Sequence, residues 1–343
     1  MKYGLLVYID TTNLGDDIQS YAARRFLPRV DYIVDRERLD TFTTGTDGPV
    51  SVIMNAWYMH KKFNWPPAQE INPFFISVHV TQNNSYEIYE IGDRFLDGLG
   101  GDYLRHYAPI GARDESTLLL LRRKGIESYL SGCLTLTLDL PPIETKTDKV
   151  LLVDVHPKRV KLLKKRYPQI DWAETTHFFD SKMHCKLSLD ERFTQVENQL
   201  RLYQRAKCVV TERLHCALPC LALGTPVLLI ARSDALDRMS SFLGLLHTTT
   251  PKELEKGDIF YNFSKPPVNP DSYLKIRRNL EAQCRDFIER CERGEIPEPF
   301  CYQREDLRHW QEMLIQEINT KKHKSISSRL ASSFQRVIRV FHS

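Results

Sequence analysis

The chain has 343 residues, of which 42% are hydrophobic and 27% charged, with a formal net charge of +4. Those proportions suit a folded protein with room for two domains of ~100–200 residues each and exclude a disordered or low-complexity chain. The modest charge shows no Arg/Lys stripe interleaved with aromatics, so no nucleic-acid partner is expected, and no apolar run reaches the ~20 residues that cross a bilayer. The amino terminus turns polar by Asp10, too soon for a signal peptide, and the eight cysteines form no C-x-x-C pair. Reduced, buried cysteines and a cytoplasmic location are the expectation.

Leu5 to Ile9 reads as a buried first strand. It enters Asn13-Leu-Gly-Asp-Asp, where Asn13 or Asp16 can cap the next helix and Gly15 lets backbone approach a ligand. Tyr32 to Val34 and Val50 to Met54 read as strands, followed by an aromatic loop from Asn55 to Trp65 suited to sugar stacking or to packing. Phe74 to Val80 reads as a strand carrying His79 near its end. In Gly111-Ala-Arg-Asp-Glu-Ser-Thr, Asp114 or Ser116 caps a helix ending at Gly125, and a strand at Ser128 to Leu130 follows. Arg113, just before that helix, either pairs with Asp114 or projects with the helix amides towards an anion.

The proline-containing stretch from Pro141 to Lys149 marks a boundary between residues 1–145 and 146–320, with a tail over 321–343. A strand from Val150 to Val155 leads to His156 at its carboxyl end, and a basic helix follows from Pro157. A long helix from Leu189 to Ala206 precedes the densest motif, Val209 to Ile230. There two short apolar strands flank an apolar helix stopped by Gly224, a right-handed β-α-β unit with parallel strands. Thr211, Glu212, Arg213 and His215 collect where strand passes to helix, at the sheet edge where open α/β folds bind ligands and helix amino ends favour anions. The bland alternative is a Glu212–Arg213 ion pair beside a core His215. Arg232, at the exit of the next strand, faces the same edge. Two amphipathic helices, near Tyr273 to Cys291 and Glu305 to Asn319, precede the tail. That tail repeats apolar residues at helical spacing with cationic charge only, as a basic amphipathic helix on an anionic membrane surface does.

Three motifs together resemble the polysaccharide pyruvyl transferase family: Asn13-Leu-Gly-Asp-Asp; Gly111-Ala-Arg-Asp-Glu-Ser-Thr with Leu130-Ser-Gly-Cys-Leu-Thr; and Glu212-Arg-Leu-His with Leu223-Gly-Thr-Pro-Val. They occur in the family's order. Thr12 departs from the Gly that many members carry. The resemblance implies an α/β, GT-B-like fold, with two Rossmann-like domains facing across a cleft. It implies transfer of the enolpyruvyl carbons of phosphoenolpyruvate onto two sugar hydroxyls, giving a pyruvate ketal and phosphate. It also implies that Arg113, Arg213 and His215 serve the donor.

The residues suit that chemistry. Arg presents a bidentate fork to phosphate or carboxylate, and His has the unperturbed pKa nearest working pH for moving a proton. Catalytic roles are therefore expected for His215, Arg213 and Arg113, and substrate-binding roles for Asn13, Gly15, Asp16, Glu212, Arg232 and His156. No metal or cofactor is expected beyond phosphoenolpyruvate as co-substrate. The expected acceptor is a glycan, lipid-linked or free, met in the cytoplasm or at the inner membrane face. Two other classes remain open at this stage: a nucleotide-sugar glycosyltransferase of the same fold, and a non-catalytic glycan- or membrane-binding member.

Overall fold

The structure is a computed structural model that describes residues 1–58, 64–81, 93–179, 186–233, 236–317 and 319–320. The first half alternates β1 (Lys2–Val7), α1 (Leu14–Arg24), β2 (Tyr32–Asp35), β3 (Val50–Ile53), β4 (Ile71–Phe74), α2 (Gly98–His106), β5 (Ile110–Ala112), α3 (Glu115–Arg123) and β6 (Ser128–Leu130). The second half runs β7 (Val150–Val153), α4 (Pro157–Arg166), β8 (Trp172–Thr175), α5 (Leu189–Arg205), β9 (Cys208–Thr211), α6 (Leu214–Ala222), β10 (Val227–Ile230), α7 (Leu236–Leu243), β11 (His247–Thr249), α8 (Pro251–Lys256) and α9 (Tyr273–Glu292). A further helix covers 304–317. The basic tail lies outside the described residues.

All the strand pairs among the described residues are parallel. A four-stranded sheet has the order β2-β1-β3-β4, and a five-stranded sheet has the order β8-β7-β9-β10-β11. Both begin with the same winding, in which the chain reverses direction between the first and third strands. Such a reversal opens a crevice at the carboxyl edge, the usual ligand site of open α/β sheets. The inner strands β3, β7, β9 and β10 are buried at every position, as parallel strands covered on both faces require. The edge strand β8 is only partly buried and carries an exposed Glu174.

The elements follow local chemistry. Asn13 Oδ1 accepts the Gly15 amide at 3.0 Å at the start of α1, and Asp114 caps α3. Ser188 and Glu191 form a reciprocal capping box on α5, and Gly224 takes φ +71° beyond α6. One expected strand is shorter than its apolar pattern. Over Phe74 to Val80 the ladder with β3 ends at Phe74, and the chain turns through Ser77 at φ +57°. Phe75 and Val78 then pair with Gly111 instead, which joins the β5–β6 ribbon (paired with each other in parallel) to the first sheet. That turn puts His79 beside Asp114.

Between the sheets there is one shared core. Leu5, Val7, Leu14 and Ile18 of the first half belong to the same buried cluster as Val153, Leu200, Leu218 and Leu221 of the second. Helix α1 packs directly on α5 and α6. A buried Arg192–Asp17 ion pair bridges α5 to α1, and Arg192 Nη2 also donates to the Tyr8 carbonyl at 2.8 Å. Six of the seven described cysteines are buried and all seven are free thiols.

Candidate active site

Where the two carboxyl edges meet, a cavity of about 80 Å³ remains, lined by Asn13, His177, Glu212, Arg213, Leu214, His215, Arg232, Arg238 and Met239. Two wider grooves, of about 1010 and 860 Å³, lie elsewhere, along the β4 edge and the segment 295–311. The small cavity is where the motif residues converge, and it sits at both points of strand reversal. The loop after β1 supplies Asn13, and the turn after β9 supplies Glu212, Arg213 and His215.

Its electrostatics favour an anion. Arg213, Arg232 and Arg238 line it, and the amino end of α6 opens towards it with no side-chain cap on its amides. Arg213 Nε lies 3.4 Å from Asp154 Oδ2, and its guanidinium stacks 4.5 Å from the Phe178 ring centroid, yet its side chain stays 40% exposed. Arg238 was not singled out from the sequence. It reaches the cavity from α7, over the face of Trp57 at 5.2 Å. Its helix is held against the first half by the Glu115 amide, which donates to Ser241 Oγ at 2.8 Å.

His215 packs on Gly15, where an added Cβ would stand 3.2 Å from His215 Cβ and 3.4 Å from Nδ1. Glycine at that position leaves His215 its place without a shift of a few tenths of an ångström. Burial first, then the cationic fields of Arg113 and Arg238, hold the His215 pKa well below its ordinary value. The free protein therefore carries a neutral imidazole. Its Nε2 is buried and has no hydrogen-bond partner among the described residues, and the same is true of Arg113 Nη2 and His79 Nε2. Each such atom costs ~1–3 kcal/mol if left unsatisfied, so the three together leave hydrogen-bonding capacity for water or a ligand.

Arg113, at the end of β5, is 1% exposed and does pair with Asp114, whose Oδ2 accepts its Nε at 3.2 Å. Asp114 also meets His79 Nδ1 at 2.7 Å. Burial opposes ionisation of Asp114, but the His79 hydrogen bond and the Arg113 charge hold its pKa below the usual carboxylate range. Burial and then Arg113 push the His79 pKa down to about 4. The pair is thus an ionised carboxylate and a neutral imidazole. The sequence pattern places His79 near a strand end without a role, and the turn at Ser77 is what brings it to Asp114.

The remaining expected residues are engaged locally. Asp16 accepts from Thr11 Oγ1 at 2.7 Å and pairs with Arg36 at 3.4 Å. Glu212 pairs with Arg159, not with Arg213: it is clamped by Nε at 2.7 Å and Nη2 at 2.8 Å, and it accepts the His156 amide at 2.8 Å. His156 does not line the cavity; its Nδ1 accepts the Lys158 amide at 3.2 Å and caps α4. Arg232 lines the cavity 4.0 Å from Glu212. Of the aromatic loop, Trp65 is core, packed among Tyr58, Phe75, Phe95 and Tyr103, while Trp57 carries Arg238; residues 59–63 lie outside the described ones. His177, a lining residue that no local pattern singles out, bonds Tyr203 through Nε2, and its carbonyl accepts the Leu14 amide at 2.9 Å.

Parallel α/β sheets with an arginine- and histidine-lined cavity at their carboxyl edges define the class of the protein. A model of the polysaccharide pyruvyl transferase family matches residues 13–234, well over half of the chain and all three motifs. The chain belongs to the polysaccharide pyruvyl transferase family. No curated protein matches it. Among solved structures it is similar to a functionally uncharacterised protein of Klebsiella pneumoniae, at 12% identity over 73% of this chain and 93% of that one, with a TM-score of 0.44. It is also similar to the wall teichoic acid polymerase TagF, at 9% identity over 93% and 90%, with a TM-score of 0.35.

Proposed function

We propose that the chain transfers the enolpyruvyl group of phosphoenolpyruvate onto two hydroxyls of one sugar in a glycan precursor, releasing phosphate and leaving a pyruvate ketal. Family membership supports the polysaccharide pyruvyltransferase role. The observation that carries the donor assignment is a cavity lined by Arg213, Arg232 and Arg238 with His215 in its wall, His215 Nε2 and the nearby buried Arg113 Nη2 both lacking a hydrogen-bond partner among the described residues. Phosphoenolpyruvate brings a phosphate and a carboxylate, enough oxygens for such donors.

In this reading Arg213 and Arg113 hold the phosphate and Arg232 and Arg238 the remaining negative charge, with the α6 amides adding donors. The methylene carbon must gain a proton while a sugar hydroxyl attacks the neighbouring carbon. His215 is neutral in the free protein because burial disfavours its charged form and the cations around it add to that. A bound polyanion offsets those cations and favours the imidazolium, which can then give its proton to the methylene carbon, a contribution of ~10²–10⁴-fold. Phosphate leaves with its charge held by the arginines, and the second hydroxyl closes the ketal. Asn13 and Gly15 shape the wall against His215. Asp16, Glu212 and His156 act through the loops they brace. The acceptor is a glycan, lipid-linked or free, and the basic tail would bring the protein to an anionic inner membrane face.

The test is acceptor-dependent phosphate release from phosphoenolpyruvate across galactoside, glucoside and mannoside acceptors, with each product weighed for an added pyruvate ketal. Release that no acceptor stimulates, together with binding of nucleotide sugars in place of phosphoenolpyruvate, would replace this reading with a glycosyltransferase.

A further inference from the structure

Asp114 is a junction. Its Oδ1 accepts the Thr117 amide at 3.0 Å, and its Oδ2 lies 2.7 Å from His79 Nδ1 and 3.2 Å from Arg113 Nε. His79 and Asp114 are fully buried, and Arg113 is 1% exposed. With the imidazole neutral, the short contact between Nδ1 and an ionised carboxylate requires the proton on Nδ1, which donates to Oδ2.

An arginine and a carboxylate left to themselves prefer two parallel N–H···O bonds, fork to fork. Here they do not make them. Nε bonds to Oδ2, while Nη2, 3.2 Å from the same oxygen, has no hydrogen bond. The other carboxylate oxygen is committed to the Thr117 amide, and Oδ2 is shared with the imidazole. One guanidinium donor is thereby left unspent, on a residue whose charge reaches His215 in the cavity wall. The same imidazole meets the Trp57 ring edge-on at a centroid distance of 6.0 Å, and Trp57 in turn carries Arg238.

We propose that His79 is a positioning residue: by donating Nδ1–H to Asp114 it keeps that carboxylate from closing on Arg113, and it holds Arg113 Nη2 available to an oxygen of the anionic donor. This rests on reading the cavity as the donor site, though not on the transfer reaction itself.

The test is a calorimetric titration of the full chain with phosphoenolpyruvate and, separately, with inorganic phosphate. The chains compared are wild type, His79→Ala, His79→Asn and His79→Gln, each checked for folding by its melting curve. An asparagine amide stands near the position of Nδ1 and a glutamine amide near Nε2. His79→Ala and His79→Gln are expected to weaken both ligands about tenfold, while His79→Asn stays within about threefold of wild type, the scale of one hydrogen bond to a charged group. Nitrogen NMR of the wild type should show His79 as the Nδ1–H tautomer, and the pH profile of turnover should keep its shape in every variant.

Unchanged affinity in His79→Ala, an Nε2–H tautomer, or a wild type that binds neither anion overturns the inference. So does an equal loss in the Asn and Ala variants with one limb missing from the pH profile, which would make His79 a proton-transfer group. If phosphate affinity follows the expected order in a protein that pyruvylates no acceptor, the inference stands and the proposed reaction falls. If transfer proceeds with His79→Ala indistinguishable from wild type, the reverse holds.

Discussion

The two sheets share a winding, β2-β1-β3-β4 and β8-β7-β9-β10, but use their crevices differently. At the first, polar groups are consumed where they stand. Asn13 caps α1, Asp16 holds Thr11 and Arg36, and Asn55 Nδ2 donates to the Gln19 carbonyl at 3.0 Å. At the second, α6 begins without a side-chain cap, Arg213 and Arg232 are each 40% exposed, and His215 Nε2 has no partner among the described residues. Equal topology therefore does not give equal reactivity. What distinguishes a site from a well-made loop is hydrogen-bonding capacity left unspent, and the second crevice has it. The first half contributes through Arg113 and through Gly15, which leaves room for His215.

The contrast is broken most directly at the second crevice. His215→Ala is expected to lower kcat by ~10²–10⁴-fold with a melting temperature close to wild type, measured as acceptor-dependent phosphate release. An activity within a few fold of wild type would remove His215 from proton transfer. Next in size is Arg113→Lys, which keeps the charge but loses the fork. A loss of about a hundredfold in kcat/KM for phosphoenolpyruvate is expected. At the first crevice, Gly15→Ala puts a methyl 3.2 Å from His215 Cβ and shifts that side chain by a few tenths of an ångström, and about a tenfold loss of kcat is expected without loss of donor binding.

Glu212→Gln sharpens the comparison from the other side. Because Arg159 and the His156 amide already occupy that carboxylate, the variant should lose ~2 kcal/mol in denaturant unfolding while turnover per folded molecule stays within a few fold. A large loss of turnover at unchanged stability would make Glu212 a substrate ligand after all. The smallest effect is one of pH. The unfolded His79 imidazole takes up a proton near 6.5 and the folded one only near about 4, so the unfolded chain binds more protons across that window. Stability should therefore fall as pH is lowered from 6.5 towards 4, and His79→Asn should flatten that fall in the melting temperature.

Much of this was legible in the chain. The β-α-β unit over Val209 to Ile230 appears as expected because its signals are local: uniform apolar runs, a left-handed glycine and a proline just beyond. The helices after Asn13 and Asp114 start at their caps for the same reason. Other features were not legible. The apolar run from Phe74 to Val80 looks continuous, yet a turn at Ser77 moves half of it to another partner. Glu212 lies next to Arg213 in sequence but pairs with Arg159 of α4, the helix after the neighbouring strand β7, because neighbours at a strand end point to opposite sides.

By itself the sequence determined the alternation of strands and helices, the caps, and the gathering of Arg113, Arg213 and His215 at strand ends. All of these depend on residues close along the chain. The tertiary structure alone decided which of those side chains remained unsatisfied. It spent Asp16, Glu212 and His156 on internal bonds, brought His79 to Asp114 and Arg238 over Trp57, and left Arg113 Nη2 and His215 Nε2 without partners among the described residues. A hydrogen bond is a property of two groups, and a residue's free capacity is known only once every neighbour that packing brings to it has taken its share.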